Sequence, residues 1–247
     1  ALDASLEHLY VGTSDGHVVH VGLSETQPPE VRASYAVAAP TTTVTMLGFL
    51  SGDRSLVVMA ADGVVSTWGL VRRADAPSGW KLTQMHTFRS HPSPVTAFAP
   101  SQRVKGFITG DAKGNVFLHH ATSSQTLLRL TVGEFPIRAV SFAPKGDGVI
   151  ALDEAGQLSL YQVQNPYPEV TWETLFGKVW YEGYDQPAYV WQSSSGSDDV
   201  EPKLGLLPLA FGTLKGTIYA LFLAVPIAIL AALGIYLGRF LLERRCD

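Results

Sequence analysis

Four glycine turns of one kind recur along the first two thirds of the chain: Ser14-Asp15-Gly16, Ala61-Asp62-Gly63, Ala112-Lys113-Gly114 and Glu154-Ala155-Gly156. Their glycines lie 47, 51 and 42 residues apart. Each turn follows a β-rich run (HLYVGTS, SLVVMAA, KGFITGD, GVIALDE) and precedes another (HVVHVGL, VVSTWGL, NVFLHHA, QLSLYQV). Such a pair reads as a hairpin, because Asp-Gly supplies the positive φ angles that tight primed turns demand. A further apolar run stands before the last three hairpins: VTMLGF, VTAFAP and RAVSFAP. Its Phe49, Phe98 and Phe142 fall 14, 16 and 14 residues before their turn glycines. Strands around a tight turn, repeated at about 40 to 50 residues, predict the blades of a β-propeller, with these phenylalanines between blades. The first hairpin lacks its leading run, so the first blade is expected to be incomplete and further N-terminal blades to be missing from this chain.

The third repeat carries the fullest motif. His91-Pro92-Ser93-Pro94-Val95-Thr96-Ala97-Phe98-Ala99-Pro100, then Thr109-Gly110-Asp111 and the Lys113-Gly114 turn, resembles a WD-type repeat. Five residues after each glycine, where that family carries its tryptophan, stand Val21, Trp68, His119 and Tyr161. Only Trp68 matches, and Gly69 follows it in place of the family's Asp. The blades are WD-like and degenerate.

From Gly216 to Gly238 no side chain is charged. At about 1.5 Å per helical residue these residues span roughly 34 Å, enough for a hydrocarbon core of about 30 Å. The stretch 206–242 therefore reads as a transmembrane helix. Pro226 lies within it, where neighbouring helices usually satisfy the freed carbonyl, which points to a bundle. Asp198, Asp199, Glu201 and Lys203 precede the span, and Arg239, Arg244 and Arg245 follow it. Basic flanks mark the cytoplasmic side, so the C-terminus is expected inside and the preceding domain outside. That domain must then be exported, yet no signal or first anchor precedes it, and the chain is expected to be a portion of something longer.

Charge and chemistry narrow the function. Residues 1–205 hold 20 acidic and 14 basic side chains, whereas 206–247 hold 2 and 4. With no basic stripe to neutralise phosphates, no nucleic-acid partner is expected. The lone Cys246 permits no intrachain disulfide. His86, His91, His119 and His120 have no cysteine or carboxylate at ligand spacing, so no metal site is assigned. Adjacent His119 and His120 would face opposite sides of a strand unless a bulge intervened. The run Val11 to Gly16 lacks the Lys-Ser/Thr ending and the following helix of a phosphate-cradling loop. Asp53, Asp62 and Asp111 occur in turn contexts, where carboxylates bind backbone amides. No nucleophile, base and orienter converge, so neither catalytic residues nor a cofactor are assigned.

After Val163, Asn165-Pro166-Tyr167-Pro168 ends the repeat. The following stretch is dense in aromatics: Trp172, Phe176, Trp180, Tyr181, Tyr184, Tyr189 and Trp191. Trp180, Tyr181, Tyr184 and Trp191 are candidate interface residues, against a partner or at a water–lipid boundary, the alternative being that they pack the base of the propeller. Ser193 to Asp199 reads as a polar hinge.

About sixty residues here closely resemble the extracytoplasmic segment and second transmembrane helix of the permease subunit of bacterial phosphate ABC importers, the PstC type. The carrying residues are Trp180-Tyr181-Glu182-Gly183-Tyr184-Asp185 and Tyr189-Val190-Trp191-Gln192-Ser193-Ser194-Ser195-Gly196-Ser197-Asp198-Asp199. To these add Pro208-Leu209-Ala210-Phe211-Gly212-Thr213-Leu214-Lys215 and Ala224-Val225-Pro226. Gly212, Thr213, Lys215 and Pro226 form the candidate membrane-helix motif. Some members of that family carry a propeller-like insertion between their first and second membrane helices. The resemblance implies a bacterial inner-membrane location with a periplasmic propeller and a cytoplasmic C-terminus. It also implies partners: a second permease subunit, a cytoplasmic ATPase and a periplasmic phosphate-binding protein, beside membrane lipid. The chain departs from the family after Leu233, where GIYLGRFLLERRCD replaces the expected continuation.

The expected organisation is all-β: a partial WD-like propeller over 1–164, an aromatic and polar linker over 165–205, one transmembrane α-helix region over 206–242 and a tail over 243–247. A membrane-tethered scaffold docking an envelope protein is the rival reading, and a soluble propeller enzyme or metal binder a third.

Overall fold

In a computed structural model, which describes residues 1–76, 79–192 and 201–243, the chain forms successive antiparallel sheets, a short helical linker and one long helix. Blade 1 comprises β1 (His8–Gly12), β2 (His17–Gly22) and β3 (Glu30–Ala36). Blade 2 holds β4 (Val44–Phe49), β5 (Ser55–Ala60), β6 (Val65–Arg72) and β7 (Trp80–Thr87). Blade 3 repeats the pattern with β8 (Val95–Pro100), β9 (Gly106–Asp111), β10 (Asn115–His120) and β11 (Gln125–Thr131). Blade 4 is β12 (Ile137–Phe142), β13 (Gly148–Asp153) and β14 (Leu158–Gln162). Blade 1 thus lacks a leading strand, as expected, with only an isolated Leu2↔Leu9 bridge in its place. Blade 4 lacks an outer strand, and the described sheets do not close into a ring.

The repeat is visible in the backbone. The four turn glycines have φ of 79°, 82°, 77° and 82°, the left-handed region that a Cβ disfavours. Strand register slips between Val44 and Met46, Val95 and Ala97, and Ile137 and Ala139, each slip beginning 19 residues before its turn glycine. A second slip falls at His20/Val21, Thr67/Trp68 and Leu118/His119, four and five residues after the glycine. Bulges that recur at one place re-aim the equivalent side chain in each of the three blades that carry them.

The core lies between blades. Tyr10, Val18, Val44, Leu56, Val58, Trp68 and Leu82 bury together across blades 1 and 2. Leu50, Val57, Met59, Val65, Phe88, Val95, Phe107 and Ala121 do so around blades 2 and 3. Ala97, Ile108, Val116, Leu118, Ile137, Val149 and Ala151 join blades 3 and 4. Phe49, Phe98 and Phe142 each pack against a different one of these clusters, but as half-buried rings. Phe98 crosses to blade 2, where a Cβ on Gly48 would lie 2.3 Å from its ring.

Blade 4 presents an uncovered face. Two residues after the turn glycine stand Val18, Val65 and Val116, at most 1% exposed, but Leu158 is 61% exposed. Four residues after it stand His20, Thr67 and Leu118, at most 7% exposed, but Leu160 is 69% exposed. Gly16, Gly63 and Gly114 each abut a carbonyl of the chain leading to the next blade, whereas a Cβ on Gly156 would meet nothing within 4 Å.

Beyond the blades, α1 (Trp172–Phe176) is capped by Thr171, whose hydroxyl accepts from the Thr174 amide while the Thr174 hydroxyl accepts from the Thr171 amide. A two-residue ladder pairs β15 (Trp191–Gln192) with β16 (Lys203–Leu204). The long helix α2 (Leu207–Glu243) then runs without a break through Pro226. Its apolar span, Leu207–Arg239, is 33 residues long and buries nothing inside the chain. A helix apolar all round and covered by no protein has the character of a membrane span. Pro226 leaves the Phe222 carbonyl without its in-helix donor. Ser193 to Asp199, Arg244, Arg245 and Cys246 lie outside the described residues.

Candidate functional site

The stretch read as a linker folds back onto the propeller. In Trp180 to Asp185, the Asp185 carboxylate accepts from the Arg72 amide at 2.7 Å and the Trp180 carbonyl lies 3.1 Å from His86 Nε2. Lys105 Nζ, on the turn entering β9, reaches Glu182 Oε2 at 2.6 Å with both side chains buried, and also donates to the Ser51 carbonyl. Glu201 is buried beside them, one oxygen accepting from Thr122 Oγ1 and the other from the Glu182 amide at 2.9 Å. Burial raises the Glu201 pKa, and the neighbouring Glu182 adds to the rise against the lowering effect of the Thr122 bond. One lysine facing two carboxylates away from water fixes this chain segment in place, since any group left alone there would be a desolvated charge.

The aromatic belt divides accordingly. Tyr181, expected at an interface, is 1% exposed and belongs to the core, its phenol pushed up to about 12 by burial. Trp180 and Tyr184 are half-buried, the indole Nε1 donating to the Tyr184 carbonyl at 2.8 Å, so these two also face the fold. Trp191 stays 40% exposed. Rings absent from the candidate set project further: Trp172 at 81%, stacked on Phe176 at 5.5 Å, and Tyr167 at 68%, while Tyr189 is about as exposed as Trp191. The residues around Tyr181 are held by partners far away in sequence, Trp180 by His86, Glu182 by Lys105 and Asp185 by Arg72, which spacing along the chain could not show. A short apolar-faced helix, WETLF after Pro166 and Pro168, was the available signal for Trp172 and Phe176.

The helix motif is placed at the start of α2. Gly212, Thr213 and Lys215 lie in its first turns, fully on the outside, with Thr213 Oγ1 donating to the Leu209 carbonyl at 2.9 Å and Lys215 Nζ 5.6 Å from the Tyr219 ring. No atom of the propeller approaches the space around Gly212.

The histidines serve the blades. His91 Nδ1 lies 3.1 Å from Asp111 Oδ2, and its Nε2 lies 2.7 Å from Thr109 Oγ1, which in turn is 2.8 Å from His119 Nε2. This buried chain ties the loop before β8 to β9 and β10. Asp111 also accepts from the amides of Lys113 and Asn115, holding the Gly114 turn. Burial drives the His119 pKa down to about 3 and that of His120 to about 4. The bulge at Leu118/His119 does not bring the two rings to one site: His119 turns to Thr109 and Thr126, His120 to Ser123. Asp62 accepts from the Val64 amide, and Asp53, at φ 54°, from the Ala4 amide. Asp62 and Asp111 thus hold their turns, whereas the Asp53 carboxylate ties its turn to the distant start of the chain.

No protein-family model matches the chain, and no curated protein matches it at significance. Solved structures do match in fold. A Myceliophteria thermophila Cps50 (Swd1) β-propeller domain aligns over 66% of this chain and 50% of its own, at 18% identity and a TM-score of 0.55. A chain of a mitotic checkpoint complex aligns over 66% and 46%, at 18% identity and 0.52. The computationally designed Ika4 protein aligns over 64% and 86%, at 20% identity and 0.50. The chain thus spans about half the length of these two natural structures. At such identities the likeness establishes the fold alone: the sheets are WD-like β-propeller blades.

Proposed function

We propose that this chain is the extracytoplasmic propeller and adjoining membrane helix of a permease subunit in a bacterial phosphate ABC importer. The propeller serves protein interaction and carries no catalytic residue of its own. The reading rests on one observation: Phe211-Gly212-Thr213-Leu214-Lys215 opens a long apolar helix that none of the described residues covers, and Ala224-Val225-Pro226 follows within it. That combination resembles the second membrane helix of the family. The motif Trp180 to Asp185, which also belongs to the resemblance, supports it by joining the blades to that helix through Lys105 and Arg72.

In this reading the helix faces other helices of a permease bundle, and Pro226 sets its free Phe222 carbonyl against one of them. ATP hydrolysis belongs to the cytoplasmic partner and substrate capture to the periplasmic phosphate-binding protein. The test is affinity purification of the tagged chain from bacterial membranes that also contain the importer's subunits. Co-purification of the second permease subunit and the ATPase is expected. Recovery of an envelope protein without either would instead establish a tethered scaffold.

A further inference from the structure

The approach to α2 is held by two backbone hydrogen bonds. The Gly205 amide donates to the Val190 carbonyl at 2.9 Å, and the Leu206 amide donates to the Leu175 carbonyl at 2.8 Å. The last two residues before the helix are therefore tied on one side to the segment entering β15 and on the other to α1. Both attachments carry outward rings. Trp172 and Phe176 project from α1 at 81% and 45% exposure, and Tyr189 and Trp191 flank Val190 at 44% and 40%. A lysine stands among them, Lys178 Nζ 5.7 Å from the Tyr189 ring.

We propose that these rings form a lipid-binding collar around the emerging helix, seated in the phospholipid headgroup layer with Lys178 near the phosphates. The inference rests on α2 crossing a membrane, and the occupant follows from that. The apolar span begins at Leu207, one residue beyond the Leu206 bond, so whatever is tied to Leu206 lies at the depth where hydrocarbon gives way to headgroups. Trp and Tyr prefer that depth because a flat apolar ring with one polar atom satisfies both media. Lysine there extends its apolar stem along the rings and keeps its charge with the phosphates. In water, by contrast, a stacked Trp172–Phe176 pair on a five-residue helix would expose apolar area without return.

The test uses the full chain in vesicles of phosphatidylcholine and phosphatidylglycerol, some lipids carrying a nitroxide just below the headgroup. Flotation with the vesicles and resistance to carbonate extraction report the span separately from the collar. Tryptophan emission should be quenched by the shallow nitroxide. The W172F/W191F double variant should lose more than about half of that quenching. W68F, which removes a ring buried between blades, should leave it unchanged. Because phenylalanine keeps an aromatic ring at two exposed sites, an unaltered circular dichroism spectrum verifies the fold. If the chain floats yet shows no shallow quenching, or the double variant quenches like the parent, the collar is refuted while the span stands. If the chain does not float, both fall.

Discussion

Phe98 shows how much a single ring contributes once its surroundings are known. The repeat predicted that it points between blades, and it does, lying against the flat backbone of Gly48 and 6.0 Å from the Phe107 ring. It is half-buried, however, while Phe107 is fully enclosed. Truncation of Phe107 to alanine should therefore cost about 3–5 kcal/mol and of Phe98 about 2, read as a shift in urea midpoint with unchanged slope. Equal losses would mean that the interface between blades 2 and 3 is more open than described. The histidines give a second outcome. Burial holds His119 and His120 neutral in the fold, with pKa values of about 3 and 4 against 6.5 in the open chain. Below pH 6.5 the unfolded chain binds protons that the native chain refuses, so stability falls as the pH is lowered. Each histidine steepens the fall by about 1.4 kcal/mol per pH unit. His119→Gln should destabilise at pH 8 through the lost bond to Thr109, and flatten the slope between pH 6 and 4. A slope equal to the parent's would show that His119 is already charged in the fold.

At the scale of strands and helices, the chain was legible wherever the signal was local. Turn glycines, alternation and an uncharged run depend on neighbours in sequence, and each hairpin and α2 stand where those signals put them. The ion pair of Lys105 and Glu182 and the hydrogen bond from Thr122 to Glu201 join residues some eighty apart, so the stretch that reads as a linker is in fact packed structure. The outer face of β14 was hidden for a related reason: Leu158 and Leu160 alternate like any strand, and only comparison with Val116 and Leu118 reveals what is uncovered. An apolar strand edge without a neighbour pairs readily with another chain. Leu160→Lys should therefore suppress self-association in sedimentation velocity of the detergent-solubilised chain while leaving its melting temperature within a few degrees, as surface substitutions usually do. A sharp loss of melting temperature would place Leu160 within the core.

For the whole molecule, orientation is the decisive quantity. Arg239 closes the span, and in the proposed reading the basic-flank rule sets the C-terminal end on the cytoplasmic side and the blades on the other. An impermeant thiol reagent on intact spheroplasts should label a cysteine introduced at Leu158 on blade 4 and leave Cys246 unmodified until the membrane is breached. The reverse pattern would invert the protein. The two backbone bonds at Gly205 and Leu206 carry a mechanical consequence. The apolar span of 33 residues is about 50 Å long, well beyond a hydrocarbon core of about 30 Å, and the excess is taken up by leaning. Because the helix leaves the disc through a fastened joint, a lean of the helix is a lean of the disc. A thinner bilayer would incline the blades towards the surface and a thicker one would raise them, making the chain a lever whose angle is set by the lipid that surrounds it.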